Sequence, residues 1–505
     1  MADDSIAMKA ARGAGWIFAW RMVTRLLGLG STLVLVRYLQ PADFGLVAIA
    51  VAFAAGIDAL SDMGVEYALI REKELDRALY DTAFTMNVLR GLLSVVIVAL
   101  AAWPLAYFVG DPRLVPLVLV LSMALFMASL ENIGVVEFRR NFAFDKEFIL
   151  FLLPRLLGVC SNIILAMLWP SYWVLVIGTL LTRFGRMVLS YVIHPYRPRL
   201  SLSAWQPLFR YSIWIWAQSM VSVLRERADP VVLGRLLDPA RVGIFSIGVE
   251  IAILPGTEIA QPISRVLFPG FAAAHHGGGG LADAFTRAVA VIATLILPVC
   301  FGMSLLADPI VRLILGHNWL AAVPIVQIIS AASAVSVIGY AAGNVLGVAG
   351  KTRWQFLLTL GSACVRLPFL AFMVWRQELR GAAIAVAMSG VLDTTTTAVV
   401  VCRYLKLRWI HLAAVIWRPV LATALMVAVL AFSGLGWVSM AAYGSWRELI
   451  PHIILTSLVG GALYLGTLAL TWLAMGRPAG AERFLLDLGI GVARRVLRFG
   501  GIGRD

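Results

Sequence analysis

Long apolar segments recur along this chain of 505 residues, and short polar loops separate them. Each segment has about 20 residues, the length that an α-helix needs to cross the hydrocarbon core of a bilayer. Hydrophobic residues make up 61% of the chain and charged residues only 14%, whereas soluble domains carry roughly 25% charged residues. Lipid offers the backbone no hydrogen bonds, so a spanning segment must be helical or belong to a closed barrel. Apolar segments of this length predict an all-α integral membrane protein.

About fourteen transmembrane helices are predicted. They lie at about 14–38, 43–65, 83–109, 114–136, 147–168, 172–194, 208–233, 241–265, 285–306, 320–345, 354–375, 381–402, 411–433 and 449–475. Alternate loops are basic: Arg139, Arg140 and Lys146 share one loop, whereas no loop on the opposite side has more than two arginines. Because basic loops face the cytoplasm, we expect both termini inside and no cleavable signal peptide. The same rule assigns the net charge of +14 to cytoplasmic loops rather than to nucleic-acid binding.

A nine-residue motif occurs twice, at 37–45 and at 235–243, with the pattern R-x-L-x-P-A-x-x-G. Each copy joins the first and second helix of a set of six, so both copies are expected on the same side of the membrane. This arrangement predicts two six-helix lobes related by a pseudo-twofold axis along the membrane normal. In the motif, Pro suits the first turn of the second helix, and Gly permits close approach between helices. Arg37 and Arg235 are interpreted as anchors near the lipid headgroups.

The repeat and the polar joint after the sixth helix predict the domain organisation. The predicted domains are an N-terminal lobe at 1–194, a cytoplasmic linker at 195–207, a C-terminal lobe at 208–404, two further helices at 405–476 and a basic amphipathic cytoplasmic tail at 477–505.

Charged residues inside the predicted spans are the candidate functional residues, because a charge at mid-bilayer costs about 2.5–3.5 kcal/mol on insertion scales. Arginine predominates in this set and lysine is absent from it. A guanidinium group binds phosphate through two hydrogen bonds, so the set predicts a cationic cavity for an anionic substrate such as a pyrophosphate. The predicted substrate-binding residues are Arg21, Arg25, Arg183, Arg225, Arg227 and Arg265.

Acidic residues in the spans are candidates for coupling transport to Na⁺ or H⁺, or for pairing with the arginines. They are Asp58, Asp62, Asp229, Glu250, Glu258 and Asp393. Internal ion pairs that hold helices together are the competing interpretation, and Arg225 with Asp229 has the spacing for one. Arg90, Arg155 and Arg418 lie near predicted helix ends, where long side chains reach the interface.

No sequence pattern for a metal, a nucleotide or a catalytic nucleophile is present, and the four cysteines lie in apolar stretches. We therefore expect no metal, no cofactor beyond a coupling ion, and no enzymatic activity.

Several segments of the chain resemble a known family. The segments 39–45, 60–65, 209–212, 229–237 and 307–316 are similar in order and spacing to those of the Wzx-type oligosaccharide flippases. This is the polysaccharide transport family of the multidrug/oligosaccharidyl-lipid/polysaccharide exporter superfamily, and the chain resembles its exopolysaccharide-type members. The resemblance implies two six-helix lobes, alternating access and a cationic central cavity.

The implied activity is translocation of an undecaprenyl-pyrophosphate-linked oligosaccharide repeat unit from the cytoplasmic to the periplasmic leaflet of the bacterial inner membrane. The product would serve exopolysaccharide, capsule or O-antigen assembly. The implied partners are the lipid-linked substrate, membrane lipids, and a polysaccharide polymerase with its export machinery.

Three other functions are compatible with such a chain: a peptidoglycan lipid-precursor flippase, a drug or cation exporter of the same fold, and a membrane-embedded sugar polymerase. A cation exporter predicts an acidic or neutral cavity, which the arginine excess opposes. Polymerases usually carry a large periplasmic loop with acidic or arginine-rich motifs. The longest outside loop here, at about 433–448, is mainly small and apolar, so the sequence favours a transporter over an enzyme.

Overall fold

A computed structural model describes residues 2–61, 69, 76–141, 143–205, 227–260, 263, 271, 274, 280–439, 446–477 and 480–483. Within helices, the side chains of 2–15, 17–19, 21, 60, 61, 337 and 352 are outside this description. All regular secondary structure in the described residues is helical. The chain divides into two compact units, Met1–Ser246 and Ile247–Asp505.

The first unit contains the helices of the N-terminal half. They are α1 (Ala2–Tyr38), α2 (Pro41–Ser61), α3 (Arg77–Val109), α4 (Leu114–Ser129), α5 (Val136–Arg140), α6 (Phe144–Leu168), α7 (Trp173–Ile193), α8 (227–236) and the start of α9 (Pro239–Ala252). A 3₁₀ turn at Ile133–Val135 leads into α5.

The second unit contains the end of α9 and the remaining helices. They are α10 (Leu281–Leu305), α11 (Ala307–Ile314), α12 (Val323–Ser333), α13 (Ser336–Val348), α14 (Thr352–Tyr404), α15 (Trp409–Phe432) and α16 (Trp446–Ala474). A single π-helical turn at Gly256–Ala260 follows α9, and a 3₁₀ turn at His317–Ala322 precedes α12.

In the described part of the chain, eight helices are long and apolar enough to cross a membrane, or up to ten if two bent pairs each count as one span. The predicted total of fourteen is not confirmed. The segment at 208–233 lies mostly outside the described residues, and α1 is not among the eight. The structure therefore establishes a multi-pass helical membrane protein, and the exact number of spans stays a prediction.

Helix α14 has 53 residues, which would make a straight helix about 80 Å long. This is far more than the roughly 30 Å of a bilayer core. The helix breaks at Gln377 and Glu378, whose backbone angles are not helical. After the break the chain doubles back closely, because a Cβ atom on Gly381 would lie 1.9 Å from the carbonyl oxygen of Met373. Helix α14 therefore consists of two helical segments, and its break falls between the spans predicted at 354–375 and 381–402.

Close helix packing in the first unit relies on small residues and aromatic pairs. Helix α6 packs against both α7 and α1. At the α6–α7 crossing, a Cβ atom on Gly158 would lie 1.9 Å from Oγ1 of Thr182. At the α1–α6 crossing, the rings of Trp20 and Phe151 stack with centroids 4.9 Å apart. Lipid supplies no hydrophobic drive for helix association, so such contacts determine which helices pair.

Residues 194–204 form a strap that is bound along the first turns of α3 and is not a free joint. The carboxylate of Asp81, which is buried, accepts hydrogen bonds from the Tyr196 hydroxyl and, at 2.8 Å, from the Arg199 backbone N–H. One turn later, Oγ1 of Thr85 accepts from the Ser201 N–H at 2.9 Å. Burial, followed by the bond to Asp81, raises the pKa of Tyr196 above its usual range, so the phenol stays a donor.

The start of the strap is fixed by Asn132, which is fully buried. Its side-chain amide donates to the Tyr196 carbonyl at 2.8 Å, and its backbone N–H donates to Ser190 Oγ at 3.0 Å. The predicted cytoplasmic linker at 195–207 is thus, as far as residue 205, an ordered part of the first unit.

Asp81→Ala removes the acceptor for two strap residues and leaves buried donors unpaired, which costs about 1–3 kcal/mol. We expect faster trypsin cleavage after Arg199 in detergent-solubilised protein, since the bond that follows Arg197 leads to Pro198 and resists trypsin. The matched control is Asp111→Ala, which breaks a pair with the half-exposed Arg113. The hydrogen bond from Arg113 lowers the pKa of Asp111. An exposed ion pair nevertheless contributes only about 0–1 kcal/mol to the free energy of unfolding. Equal cleavage rates in the two variants would contradict the assignment of the strap.

Candidate functional site

The predicted site residues are divided between the two units, and some of them lie outside the described residues. Asp62, Arg225 and Arg265 lie outside the described residues, and so does the side chain of Arg21. Five described residues are in the first unit: Arg25, Asp58, Arg183, Arg227 and Asp229. The other three, Glu250, Glu258 and Asp393, are in the second unit. The predicted substrate-binding set therefore stays a prediction.

Two arginine side chains lie beside one stretch of α1, one from α1 itself and one from α6. Arg25 is half-buried on this helix. One turn further on, a Cβ atom on Gly28 would lie 3.0 Å from Nη2 of Arg155. The guanidinium of Arg155 thus rests against α1 although the residue belongs to α6. We call Arg25 and Arg155 the arginine face of α1; sequence analysis had placed Arg155 near a helix end. The glycine at position 28 is the only sequence signal for this contact, because it leaves room for the guanidinium.

Asp58 forms an ion pair within the first unit. Its carboxylate lies 2.8 Å from Nη1 of Arg90, and the two side chains are 29% and 14% exposed. Sequence analysis placed Arg90 near a helix end, but α3 begins at Arg77. Arg90 therefore lies about 20 Å from the start of its helix and not near the helix end. This geometry favours a pairing role for Asp58 over a coupling role.

A second ion pair involves a neighbour of the predicted ligand Arg183. Arg186, one turn along α7, has its Nε 2.8 Å from Glu131 and its guanidinium carbon 4.3 Å from the ring centre of Phe151. Arg183 itself is half-buried. Glu131 therefore holds Arg186 of α7 in place.

The two predicted site residues on α8 differ in their surroundings. Arg227 is exposed, whereas Asp229, two residues later, is buried at 7% exposure. The predicted pair of Arg225 with Asp229 involves a residue outside the described part of the chain.

The acids of the second unit lie on separate elements. Glu258 is in the π-helical turn after Pro255 and accepts a hydrogen bond of 3.0 Å from the Thr257 hydroxyl. Such turns are frequent at functional sites. Glu250 on α9 and Asp393 on α14 are both half-buried. Among the described residues, no three His, Cys, Asp or Glu side chains form a group that could bind a metal ion.

An apolar groove lies in the second unit. Its volume is about 860 Å³, which is within the range of sites that bind organic ligands. Helices α10, α15 and α16 form its walls. Side chains that line it include Leu295, Pro298, Val299, Met303, Met426, Leu430, Leu465, Leu468 and Trp472. Gly302 and Gly461 also line it, and nothing lies within 4 Å of a Cβ atom built on either residue. The open space therefore begins at the helix backbone.

Few polar side chains line the groove. The hydroxyl of Tyr464 donates a 2.7 Å hydrogen bond to the Thr294 carbonyl in the wall. Glu482 also lines the groove, and its carboxylate lies 3.0 Å from Nη1 of Arg418. The two side chains of this ion pair are only 8% and 10% exposed. Arg418 therefore does not extend to the membrane interface, in contrast to the sequence interpretation, because an acid is available beside it.

The Arg418 pair also changes the description of the C-terminal tail. After α16 the chain turns at Gly476 and Arg477, which both have positive φ angles. Ala481 and Glu482 are then buried among the helices of the second unit. The tail predicted at 477–505 thus begins as part of the bundle and not on the lipid surface; its residues after 483 lie outside the described part.

The groove was not predicted from the sequence, in which α15 and α16 are only two further helices beyond the two lobes. One signal was available. Thr456, Gly460, Tyr464 and Leu468 recur every four residues and are all buried on one face of α16. Glu482 was a second signal, because it is an acid at the start of an arginine-rich tail.

Comparisons with known proteins agree with this architecture. The sequence model of a family described as "Polysaccharide biosynthesis protein" matches residues 34–324. The lipopolysaccharide biosynthesis protein WzxC of Escherichia coli is 25% identical over 368 residues, which are 72% of this chain and 75% of that protein. The succinoglycan biosynthesis transport protein ExoT of Rhizobium meliloti is 23% identical over 326 residues, 64% and 66% of the two chains.

A solved structure titled "Lipid II flippase MurJ, inward closed conformation" has the same fold. It superimposes with a TM-score of 0.74 at 14% identity, covering 91% of this chain and 99% of its own. The resemblance to polysaccharide flippases that the motifs indicated is confirmed by the family match and by the relatives. The protein is a multi-pass membrane protein with a transporter fold, and it belongs to the polysaccharide biosynthesis protein family.

Proposed function

We propose that the protein is a flippase for an undecaprenyl-pyrophosphate-linked oligosaccharide repeat unit. It moves this lipid from the cytoplasmic to the periplasmic leaflet of the bacterial inner membrane by alternating access, with both termini in the cytoplasm. The repeat unit then enters exopolysaccharide, capsule or O-antigen assembly, where a polymerase and export machinery act on it. The observation that carries the proposal is the apolar groove, in a protein of a family whose relatives are named for polysaccharide biosynthesis and transport.

The groove fits the polyprenyl chain of such a lipid. A cavity of about 860 Å³ that is lined mainly by aliphatic side chains offers no partner for a sugar or a phosphate along most of its length. In a bilayer, hydrocarbon surrounds the protein, so moving a lipid chain into the groove gains little from the hydrophobic effect. What the groove contributes is close packing around one chain, which selects a polyprenyl tail among membrane lipids and orients its headgroup.

The pyrophosphate is expected to bind arginine. Its charge needs donors that remain ionised in a low-dielectric site, and the guanidinium group meets this requirement. Arg25 is the first of the predicted ligands, and a second guanidinium group, that of Arg155, lies against the next turn of α1. Arg21, Arg183, Arg225, Arg227 and Arg265 complete the proposed set. In this proposal the hydrophilic glycan crosses in a cavity lined by these residues. The polyprenyl tail stays in contact with membrane lipid or with the groove.

An ion gradient is the proposed energy source, and Na⁺ or H⁺ would bind acidic residues of the predicted spans. Glu258 in its π-helical turn, with Glu250 and Asp393, is the candidate group in the second unit. Asp62 and Asp229 are the candidates elsewhere in the chain.

The proposal is tested in a bacterium that lacks its own flippase but retains the enzymes that build the lipid-linked repeat unit. Expression of this protein should restore surface polysaccharide and reduce the lipid-linked oligosaccharide that accumulates in the membrane. A protein that inserts at normal levels but leaves that accumulation unchanged, across several repeat-unit structures, would overturn the proposal. Restored peptidoglycan synthesis in a strain without its peptidoglycan-precursor flippase would instead favour that related substrate.

Gly461→Trp should block the groove without disturbing the backbone, because the position faces open space. An indole fills much of the volume that a lipid chain would occupy. We expect flipping to fall roughly tenfold for each 1.4 kcal/mol of packing that is lost. Gly466→Trp is the control, since this glycine lies on the same helix with open space around it but does not line the groove. Polysaccharide export that is equal in both variants would show that the groove does not hold substrate.

Arg25→Ala should abolish export while the protein still inserts. Hydrogen bonds to charged groups contribute about 1.5–3 kcal/mol each, so the affinity for substrate should fall roughly ten- to a hundredfold. Arg25→Lys keeps the charge but not the planar fork and should have an intermediate effect. Arg113→Ala, in an exposed loop, is the matched control. Undiminished export by Arg25→Ala at equal protein levels would remove this residue from the binding set.

A further inference from the structure

The turn that precedes α14 and the turn that follows it lie side by side, because this helix doubles back at its break. Its first and last residues therefore meet, and the rings of Trp354 and Tyr404 contact edge to face with centroids 6.3 Å apart. Leu346 before the first turn and Cys402 before the second belong to one buried hydrophobic cluster of the second unit. The two turns thus form one surface at this end of the unit.

Both turns end a helix in the same way. After α13, the Lys351 backbone N–H donates to the Leu346 carbonyl at 3.0 Å, and after α14 the Leu407 N–H donates to the Cys402 carbonyl at 2.8 Å. The residue before each donor has a positive φ angle. Each turn is therefore a Schellman motif, in which a hydrogen bond between residues five apart closes the helix end. These bonds fix the backbone that carries the side chains described next.

Basic side chains gather at the two turns, and no acid accompanies them in sequence. Residues 345–358 and 400–412 contain neither Asp nor Glu. The basic residues, which we call the basic cluster, are Lys351, Arg353, Arg403, Lys406 and Arg408. Within the described part of the chain, none of the five forms an ion pair or a side-chain hydrogen bond. The surface therefore carries five positive charges that no described residue neutralises.

Lys351 is held between two aromatic rings. Its ammonium nitrogen lies 5.8 Å from the ring centre of Trp354 and 5.7 Å from that of Tyr404, within the roughly 6 Å at which a ring attracts a cation. The rings leave its three N–H donors available to an oxygen acceptor. A lysine that is positioned in advance loses less conformational entropy when a ligand binds. The two rings thus prepare Lys351 to bind an anion.

The aromatic residues also indicate the depth of the surface in the membrane. Trp354 and Trp409 are 42% and 47% exposed, and exposed Trp and Tyr side chains are enriched at the membrane–water interface. Both turns lie on the predicted cytoplasmic side, where basic loops are expected. The lipid surface on that side is negatively charged, and basic pockets between transmembrane helices there bind phospholipid headgroups.

We propose that the basic cluster binds the phosphate of an anionic phospholipid of the inner leaflet, with phosphatidylglycerol as the simplest example. Lys351 contacts the phosphate as a compact charge, and the neighbouring arginines add planar forks of donors. The bound lipid bridges α13, α14 and α15, because the cluster lies at the ends of all three helices. It is a resident lipid and not the transported one, so the site goes beyond the proposed function.

The competing interpretation needs no ligand. Basic residues at helix C-termini complement the helix dipole, and basic loops determine which side of a membrane protein faces the cytoplasm. Both interpretations explain the charges. Only a binding site predicts that the folded protein prefers an anionic lipid over a zwitterionic one, and that the preference depends on the rings beside Lys351.

The experiment measures thermal unfolding of purified full-length protein in a neutral detergent. Phosphatidylglycerol, phosphatidylcholine or inorganic phosphate is titrated in, because a ligand that binds only the folded state raises the unfolding midpoint. We expect phosphatidylglycerol to raise the midpoint at concentrations at which the other two leave it unchanged. High salt should weaken this effect, since it screens charges at an exposed site.

Lys351→Gln should raise the phosphatidylglycerol concentration for the half-maximal shift by about tenfold, which corresponds to the loss of one charged hydrogen bond. Tyr404→Leu keeps all five charges but removes one ring, so the concentration should rise a few-fold, and Tyr404→Phe should restore the wild-type value. Arg376→Gln is the matched control. Arg376 also lies over two rings, those of Phe372 and Trp375, but at the opposite end of the hairpin in α14.

Three results would overturn the site. Phosphatidylcholine could stabilise the wild-type protein as well as phosphatidylglycerol does, inorganic phosphate alone could give the full shift, or Lys351→Gln could keep the wild-type half-maximal concentration. If a variant does not accumulate, the comparison of the two lipids on wild-type protein decides. No step of this experiment involves transport, so its failure would leave the proposed flippase activity untouched, and a failure of flipping would leave the lipid site standing.

Discussion

Close approach between helix backbones is the interaction on which the architecture depends. In lipid, apolar side chains gain little by leaving the solvent, so helices associate through van der Waals packing and polar contacts. The described crossings follow this rule. Gly158 receives Thr182 between α6 and α7, Gly460 receives Leu430 between α15 and α16, and Gly45 meets Gly243 at the start of α2 and α9. At each of these crossings the glycine lets a neighbouring helix approach the backbone directly.

Buried charge is the second determinant, and it divides into two kinds. Some arginines have acids beside them, such as Arg90 with Asp58, Arg186 with Glu131 and Arg418 with Glu482. Removing one partner of such a pair leaves an uncompensated charge and is costly, so these residues are expected to matter for folding. On the arginine face of α1, the guanidinium of Arg155 lies against the helix backbone at Gly28. Arg25 and its neighbours are proposed to bind pyrophosphate because a guanidinium group binds phosphate through two hydrogen bonds.

Much of the fold was predictable from the sequence because a membrane restricts a chain to few structures. Apolar length gave the positions of α2, α6, α7, α10, α15 and α16, and the family was recognisable from motif order. The surroundings of individual charged residues were harder to predict. Arg90 was misjudged because α3 starts at Arg77 rather than near residue 83, and Arg418 because its partner lies more than sixty residues away in sequence. The groove arises from three helices that are distant along the chain, and no local pattern encodes such a volume.

The central claim is that the protein moves a lipid-linked oligosaccharide between leaflets, and purified full-length protein in liposomes tests it most directly. A labelled undecaprenyl-pyrophosphate-linked oligosaccharide is incorporated into both leaflets, and a membrane-impermeant glycosidase is added outside. The account predicts that only the outer-leaflet share is cleaved in protein-free liposomes, whereas protein-containing liposomes expose the inner share as well. Cleavage that stops at the outer-leaflet share in intact liposomes with folded protein, with or without an imposed Na⁺ or H⁺ gradient, would contradict it.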